Sequence, residues 1–212
     1  MGFAQPVNFE AKLQIEEVLA EIRRCRICRD TPQGAVLPHE PRPVLQAGPA
    51  ARILIAGQAP GTRVHASGRP FTDPSGVRLR QWLGIDQAVF YDAGRVAIVP
   101  MGFCFPGLSA AGADLPPRPE CARAWRAKVL ALMPRIELVV ALGFHAQRWH
   151  LGEGYRGSLD DTVRNWRDGA ARTPPVFALP HPSWRNNAWL KRNPWFESEL
   201  LPVLREKVAE RL

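Results

Sequence analysis

The chain has 212 residues, 46% hydrophobic and 23% charged, the balance of an ordinary globular protein with enough apolar material for one core. Lys and Arg total 28 against 20 for Asp and Glu, a net charge of +8 carried mostly by arginine; this suits planar contact with phosphate and points to a polyanion partner, nucleic acid first. No apolar run approaches the ~20 residues that cross a bilayer, and the opening MGFAQPVNFEAK lacks a basic segment leading into an apolar one, so neither a membrane partner nor a signal peptide is expected. A cytoplasmic monomer is the expectation, nucleoid-associated in a bacterium. Four cysteines in a reducing compartment argue against disulfides and for metal, catalysis or burial.

In chain order, NFEAKLQIEEVLAEIRR reads as a leading helix behind an Asn8 cap. The segment from Thr31 to Ala50 is rich in Pro and Gly and is expected to wrap the surface. Four runs, ARILIAG from Ala51, RVAIVPMG from Arg95, ELVVALG from Glu137 and PVFALPHP from Pro175, are almost continuously apolar, as strands buried on both faces are. Between them, Ser75 caps a helix over GVRLRQWLGI, and RPECARAWRAKVLALMP carries Cys121, Trp125, Val129 and Leu132 at near-helical spacing. FPGLSAAGADLPPRP is a second long irregular connection, and NPWFESELLPVLREKVAERL closes the chain as a helix. Alternating strands and helices predict a single α/β domain over residues 1–212. Its architecture is a three-layer sandwich with a central, mostly parallel four-stranded sheet flanked by helices.

Each strand ends in unusual residues: GQAPG, PMGFCFPG, LGFHAQ and LPHPSWRNN. In a parallel sheet these ends gather at one rim, so residues distant in sequence meet around one cleft.

The combination GQAPG…GRPF…SG followed by HPSWRNN resembles the first and last motifs of the uracil-DNA glycosylase superfamily, most closely its iron–sulfur branch, over about Cys25 to Arg185. The resemblance implies an enzyme that turns a damaged base out of DNA and hydrolyses its N-glycosidic bond, leaving an abasic site for base excision repair. As that bond breaks, negative charge gathers on the leaving base, and a preorganised donor that stabilises it is the largest catalytic contribution in comparable sites. The resemblance gives that part to His181, and base stacking to Phe71. It assigns to Gly57, Gln58 and Ala59 the turn that closes over the base and positions water. Gln58 stands where relatives often carry Glu; an amide orients water but does not take its proton. Asp73 is the acidic candidate for a base, with helix capping ahead of Pro74 as its other reading, and His65 is a further candidate. Relatives read the base edge with an Asn at the end of the second strand. Here Val99 and Pro100 stand in that neighbourhood, leaving backbone groups of Met101 or Gly102 as substitutes.

Ser183 and Ser75 are placed at DNA phosphate. Arg185 occupies the position of the relatives' wedging Leu, beside Trp184; its guanidinium plane can stack on neighbouring bases. Trp189 and Trp195 fit aromatic packing of the last helix. Cys25 and Cys28 form CRIC, with Cys104 and Cys121 following. Four thiolates are what a 4Fe–4S cluster takes, and a zinc site has the same ligand count. In the resemblance the cluster ties the leading helix to the FPGLSAAG loop and breaks no bond. A different reading keeps the fold and the DNA contact but no excision, and a third directs the same chemistry at another deaminated base.

Overall fold

The computed structural model describes residues 9–212. The four apolar runs form β1 (Ile53–Ala56), β2 (Val96–Ile98), β3 (Leu138–Leu142) and β4 (Val176–Leu179), every residue buried. All three pairings are parallel, in the order β2-β1-β3-β4. The two-residue period of a strand divides the side chains cleanly. One face carries Leu54, Ala56, Ala97, Val139, Ala141, Val176 and Ala178, packed against Ile15, Leu19 and Ile22 of the helix Phe9–Arg23. The other carries Ile53, Ile55, Val96, Ile98, Val140 and Phe177, packed against Leu79 and Trp82 of the helix Pro74–Leu83 and against Phe196, Leu200 and Leu204 near the C-terminus. The expected three-layer α/β sandwich is therefore present, with every strand pairing parallel.

Several local expectations change. The Asn8 cap lies outside the described residues. The helix assigned to a Ser75 cap starts at Pro74; Asp73 is its cap and accepts from the Gly76 N–H, while left-handed Gly84 closes it. The segment before β1 is more than a surface wrap: Leu37 and Val44 are buried. Gln46 exchanges backbone hydrogen bonds with Ile98, and its amide donates to the Phe90 and Val96 carbonyls. That pairing covers the free edge of β2, which would otherwise present unpaired backbone groups.

The helical stretch after Arg118 runs as Pro119–Cys121, a π turn Ala122–Arg126, and Ala127–Ala131. The extra residue in that turn shifts the inward face: Cys121, Arg126, Val129 and Met133 are buried, while Trp125 and Leu132 are partly so. Burying Arg126 is costly unless it is bonded. Its guanidinium donates to the Val99 and Pro100 carbonyls at 2.6 and 2.8 Å and to His150 Nε2 at 2.6 Å. Among the described residues no helix is long and apolar enough to cross a membrane.

Candidate active site

The C-terminal ends of the strands open into a cleft of about 640 Å³, lined by the Gln58–Ala59–Pro60 turn after β1, Asp73, Leu142 at the end of β3, and His181 to Asn186 after β4. A smaller pocket of about 90 Å³ adjoins it and is lined by Phe71, Gly57, Gln58, Ala59, Pro100 and His181. Gln58, Ala59, Asp73, Asp114 and His181 line both, so the pocket is a recess in the wall of the cleft. Phe71 and His181, 110 positions apart in the sequence, are thus walls of one cavity, which is where a parallel sheet places the residues that follow different strands.

The turn after β1 is held by the turn after β2. Met101 N–H donates to the Gly57 carbonyl and Gly102 N–H to the Gln58 carbonyl, each at 2.9 Å. This corrects one expectation. Met101 is buried, and its N–H and that of Gly102 are committed to the turn, so neither is free to read a base edge. The carbonyls just before them are held by Arg126. In this neighbourhood the pocket is lined by Pro100, which has no hydrogen-bonding side chain.

Phe71 sits at φ +53°, a left-handed conformation rare outside glycine. Three groups hold it there. Tyr91 Oη donates to the Pro70 and Phe71 carbonyls at 2.9 and 3.2 Å. The Phe90 ring meets Phe71 edge-on, 6.0 Å between centroids. Gly76 lies against the Phe71 backbone, leaving no room for a β-carbon. The GRPF…SG spacing thus fixes one aromatic ring beside the Gly57 turn; a β-carbon on Gly57 would stand 3.8 Å from Phe71 Cζ.

His181 is half-buried. Asn186 Nδ2 donates to its carbonyl at 2.7 Å, and Arg78 donates to the Ser183 carbonyl at 3.0 Å, which fixes the HPSWRNN loop on the cleft wall. Burial lowers the His181 pKa below the usual histidine value; the charges of Asp73 and Asp114 work against that shift, and Arg185 adds to it. At neutral pH the ring is a neutral donor, suited to a charge that forms only during reaction.

Gln58 lines both cavities, and its Nε2 donates to the Leu115 carbonyl at 3.2 Å, which leaves Oε1 as its acceptor. Asp73 Oδ1 accepts from the Ser75 hydroxyl and from Gly76 N–H. Ser75 lines both cavities but is largely buried, and its hydroxyl donates to Asp73 rather than standing free at the cleft. His65 leaves the cleft altogether. Its ring lies 4.3 Å from that of His39 and its Nδ1 is buried without a partner. Around the cleft stand Arg63, Arg78 and Arg185, with Trp184 73% exposed and Arg185 5.8 Å from its ring. Trp189 and Trp195 pack edge-on with each other and with Phe196, as aromatic packing requires.

The four cysteines line one small apolar cavity with Ile22, Phe103 and Trp125, apart from the cleft. Cys25 Sγ accepts from Trp125 Nε1 at 3.1 Å, and Cys121 Sγ from Phe103 N–H at 3.3 Å. Burial pushes the Cys28 thiol up to about 11 and Cys104 up to about 12, and raises Cys121 as well. Thiols so placed stay protonated unless a cation replaces the lost hydration. Among the described residues no three His, Cys, Asp or Glu side chains converge on a single-ion position; the sulfurs stand around a cavity instead.

The residues missed in sequence are Arg63, Arg78, Arg126 and Asp114. Asp114 lies in a Pro- and Gly-rich connection with no motif around it, so nothing in the sequence marks it. Arg126 carried a weak signal, a charge one residue from an apolar helical stripe, which only the π turn converts into burial.

A parallel sheet with a recess at its strand ends, walled by the GQAPG, GRPF and HPS segments, defines an α/β fold with its candidate site at the sheet rim. Comparison with known families matches residues 45–205 to the uracil DNA glycosylase superfamily, and the chain belongs to that superfamily.

Proposed function

We propose that this protein is a monofunctional DNA glycosylase that hydrolyses the N-glycosidic bond of uracil, or of another deaminated base, in DNA. The observation that carries the reading is the single pocket walled by Phe71, His181 and the Gly57–Gln58–Ala59 turn.

DNA would lie across the cleft with Arg63 and Arg185 at its phosphates and Ser183 beside them; such contacts set position rather than sequence. The target nucleotide swings into the recess and stacks on Phe71, a contact worth ~1–3 kcal/mol per base. Trp184 covers the neighbouring base from the cleft mouth. Gln58 Oε1 orients water below the sugar. The C1′–N bond breaks with its electron pair moving to the base, and His181 donates to the carbonyl on which that charge collects.

Cys25, Cys28, Cys104 and Cys121 would hold a 4Fe–4S cluster, with the zinc reading as its rival. Their arrangement around one cavity, and the N–H donors aimed at two of the sulfurs, support it. When bound it would supply a structural tie between the segment after the helix Phe9–Arg23 and the chain beyond β2, because Cys25 and Cys28 come from the first, and Cys104, after β2, and Cys121, at the end of the helix Pro119–Cys121, from the second.

A second reading, damaged-DNA binding without excision, is favoured by one observation: Met101 and Gly102 spend their N–H groups on the Gly57 turn. A panel of single- and double-stranded oligonucleotides containing uracil, hypoxanthine, xanthine or alkylated bases separates the two. Base release lost in His181→Ala supports excision; retained binding with no base released from any oligonucleotide supports the alternative.

A further inference from the structure

The cleft holds a second carboxylate that no motif marks. Residues 107–115 form a small hairpin over the strand ends. Leu108 bridges Asp114, and Ser109 N–H donates to the Ala113 carbonyl at 2.8 Å. Ala113 N–H returns to Ser109 Oγ at 3.2 Å, and Leu115 N–H closes onto the Gly107 carbonyl at 3.0 Å. The Gln58 amide anchors the hairpin through the Leu115 carbonyl. Asp114 therefore has a fixed backbone, and its side chain lines both the cleft and the recess.

Two observations separate Asp114 from Asp73. Its Oδ2 would stand 3.8 Å from a β-carbon on Gly61, which places the carboxylate over the far end of the Gln58–Gly61 turn. Like that of Asp73, its charge reaches His181. Its carboxylate makes no hydrogen bond and no ion pair among the described residues. Asp73 Oδ1, in contrast, already accepts two bonds that cap a helix, and protonating that group would weaken the cap.

We infer that Asp114 is the general base of the reaction, taking a proton from the water that Gln58 Oε1 orients. The inference rests on the glycosylase reading. In the step, the C1′–N bond breaks with its electron pair leaving on the base, and the water oxygen bonds to C1′. One water proton passes to the Asp114 carboxylate and on to solvent, and the base anion takes a proton from solvent. The net change is one water consumed, giving free base and an abasic sugar. Asp114 is solvent-exposed in the free protein; DNA lying across the cleft covers it, which strengthens its interaction with a proton or an electron-poor sugar.

The test is single-turnover excision by the full chain, using the oligonucleotide from which the wild-type protein releases base fastest, with binding to the same oligonucleotide measured in parallel. General-base contributions are typically ~10²–10⁴-fold. Asp114→Asn is expected to slow excision about 100-fold or more while binding stays equal or tightens through loss of a negative charge, and Asp114→Glu is expected to recover part of the rate. An Asp114→Asn rate within about threefold of wild type overturns the assignment, as does a loss confined to Asp73→Asn, or a loss of binding that matches the loss of rate. A wild-type protein that frees no base from any oligonucleotide overturns the glycosylase reading itself; one that frees base as fast without Asp114 removes only this assignment.

Discussion

Gly76 lies so close to Phe71 that any side chain at Gly76 would strike the Phe71 carbonyl. The glycine lies in the first turn of the helix Pro74–Leu83 and the phenylalanine lines the recess, so a backbone constraint outside the cavity sets the angle of the ring within it. Phe71→Ala is expected to lower excision roughly tenfold or more through lost stacking, worth ~1–3 kcal/mol per base. Gly76→Ala should lower excision by a similar factor without touching substrate, because the Phe71 backbone must shift. If the ring is the common route, the double variant is no slower than the worse single variant, and a double-mutant cycle on excision rates checks this.

In the proposed mechanism His181 donates to the leaving base, so His181→Ala should cost about 2.7–4 kcal/mol of transition-state stabilisation, or ~10²–10³ in rate, the loss seen when one such donor is removed. DNA binding should change little, because the charge it stabilises forms only as the bond breaks. Single-turnover kinetics beside anisotropy with the same oligonucleotide separate the two effects.

Arg63 is exposed at the cleft rim and is expected to contact phosphate. Arg63→Ala should weaken binding to all sequences alike and reduce the slope of log affinity against log salt by about 1. Trp184→Ala should leave that slope unchanged while weakening binding, since stacking releases no counterions. Titrations at several salt concentrations distinguish them.

His150 gives the fold a pH dependence. Its Nε2 accepts from Arg126, and burial, assisted by that positive charge, lowers its pKa to about 3. In the unfolded chain the same imidazole titrates near its ordinary value of about 6.5. Below that value the unfolded state binds a proton that the folded state refuses, so stability is fully present above about pH 6.5. It is lost progressively as pH falls toward 3, with a slope of at most about 1.4 kcal/mol per pH unit from this group. Urea melts at pH 7 and pH 5 should show the loss, and His150→Gln, which still offers an acceptor, should flatten it.

The cysteine cavity predicts iron and inorganic sulfide in anaerobically purified protein, with broad brown absorbance. Cys104→Ser or Cys121→Ser should lower iron content and thermal stability together. Metal analysis that returns zinc without sulfide would overturn the cluster assignment.

The amino-acid order alone determined the layers and the rim. Strands buried on both faces must be apolar almost throughout, so ARILIAG, RVAIVPMG, ELVVALG and PVFALPHP announce themselves, and parallel pairing then sends GQAPG and HPS to the same edge. Phe71, Gln58 and His181 were legible for the same reason, because each follows a strand or its turn within a motif.

Tertiary structure alone decided what the remaining polar groups do. Whether Met101 N–H faces a ligand or the Gly57 carbonyl depends on how two turns dock. Whether Ser75 or Asp73 caps a helix depends on where Pro74 begins it, and the burial of Arg126 depends on one extra residue in a helical turn. Asp114 enters the cleft only because a hairpin folds across it. Hydrophobic burial is periodic along the chain and can be read from it, whereas a hydrogen bond is made between groups whose separation in sequence carries no information about their distance in space.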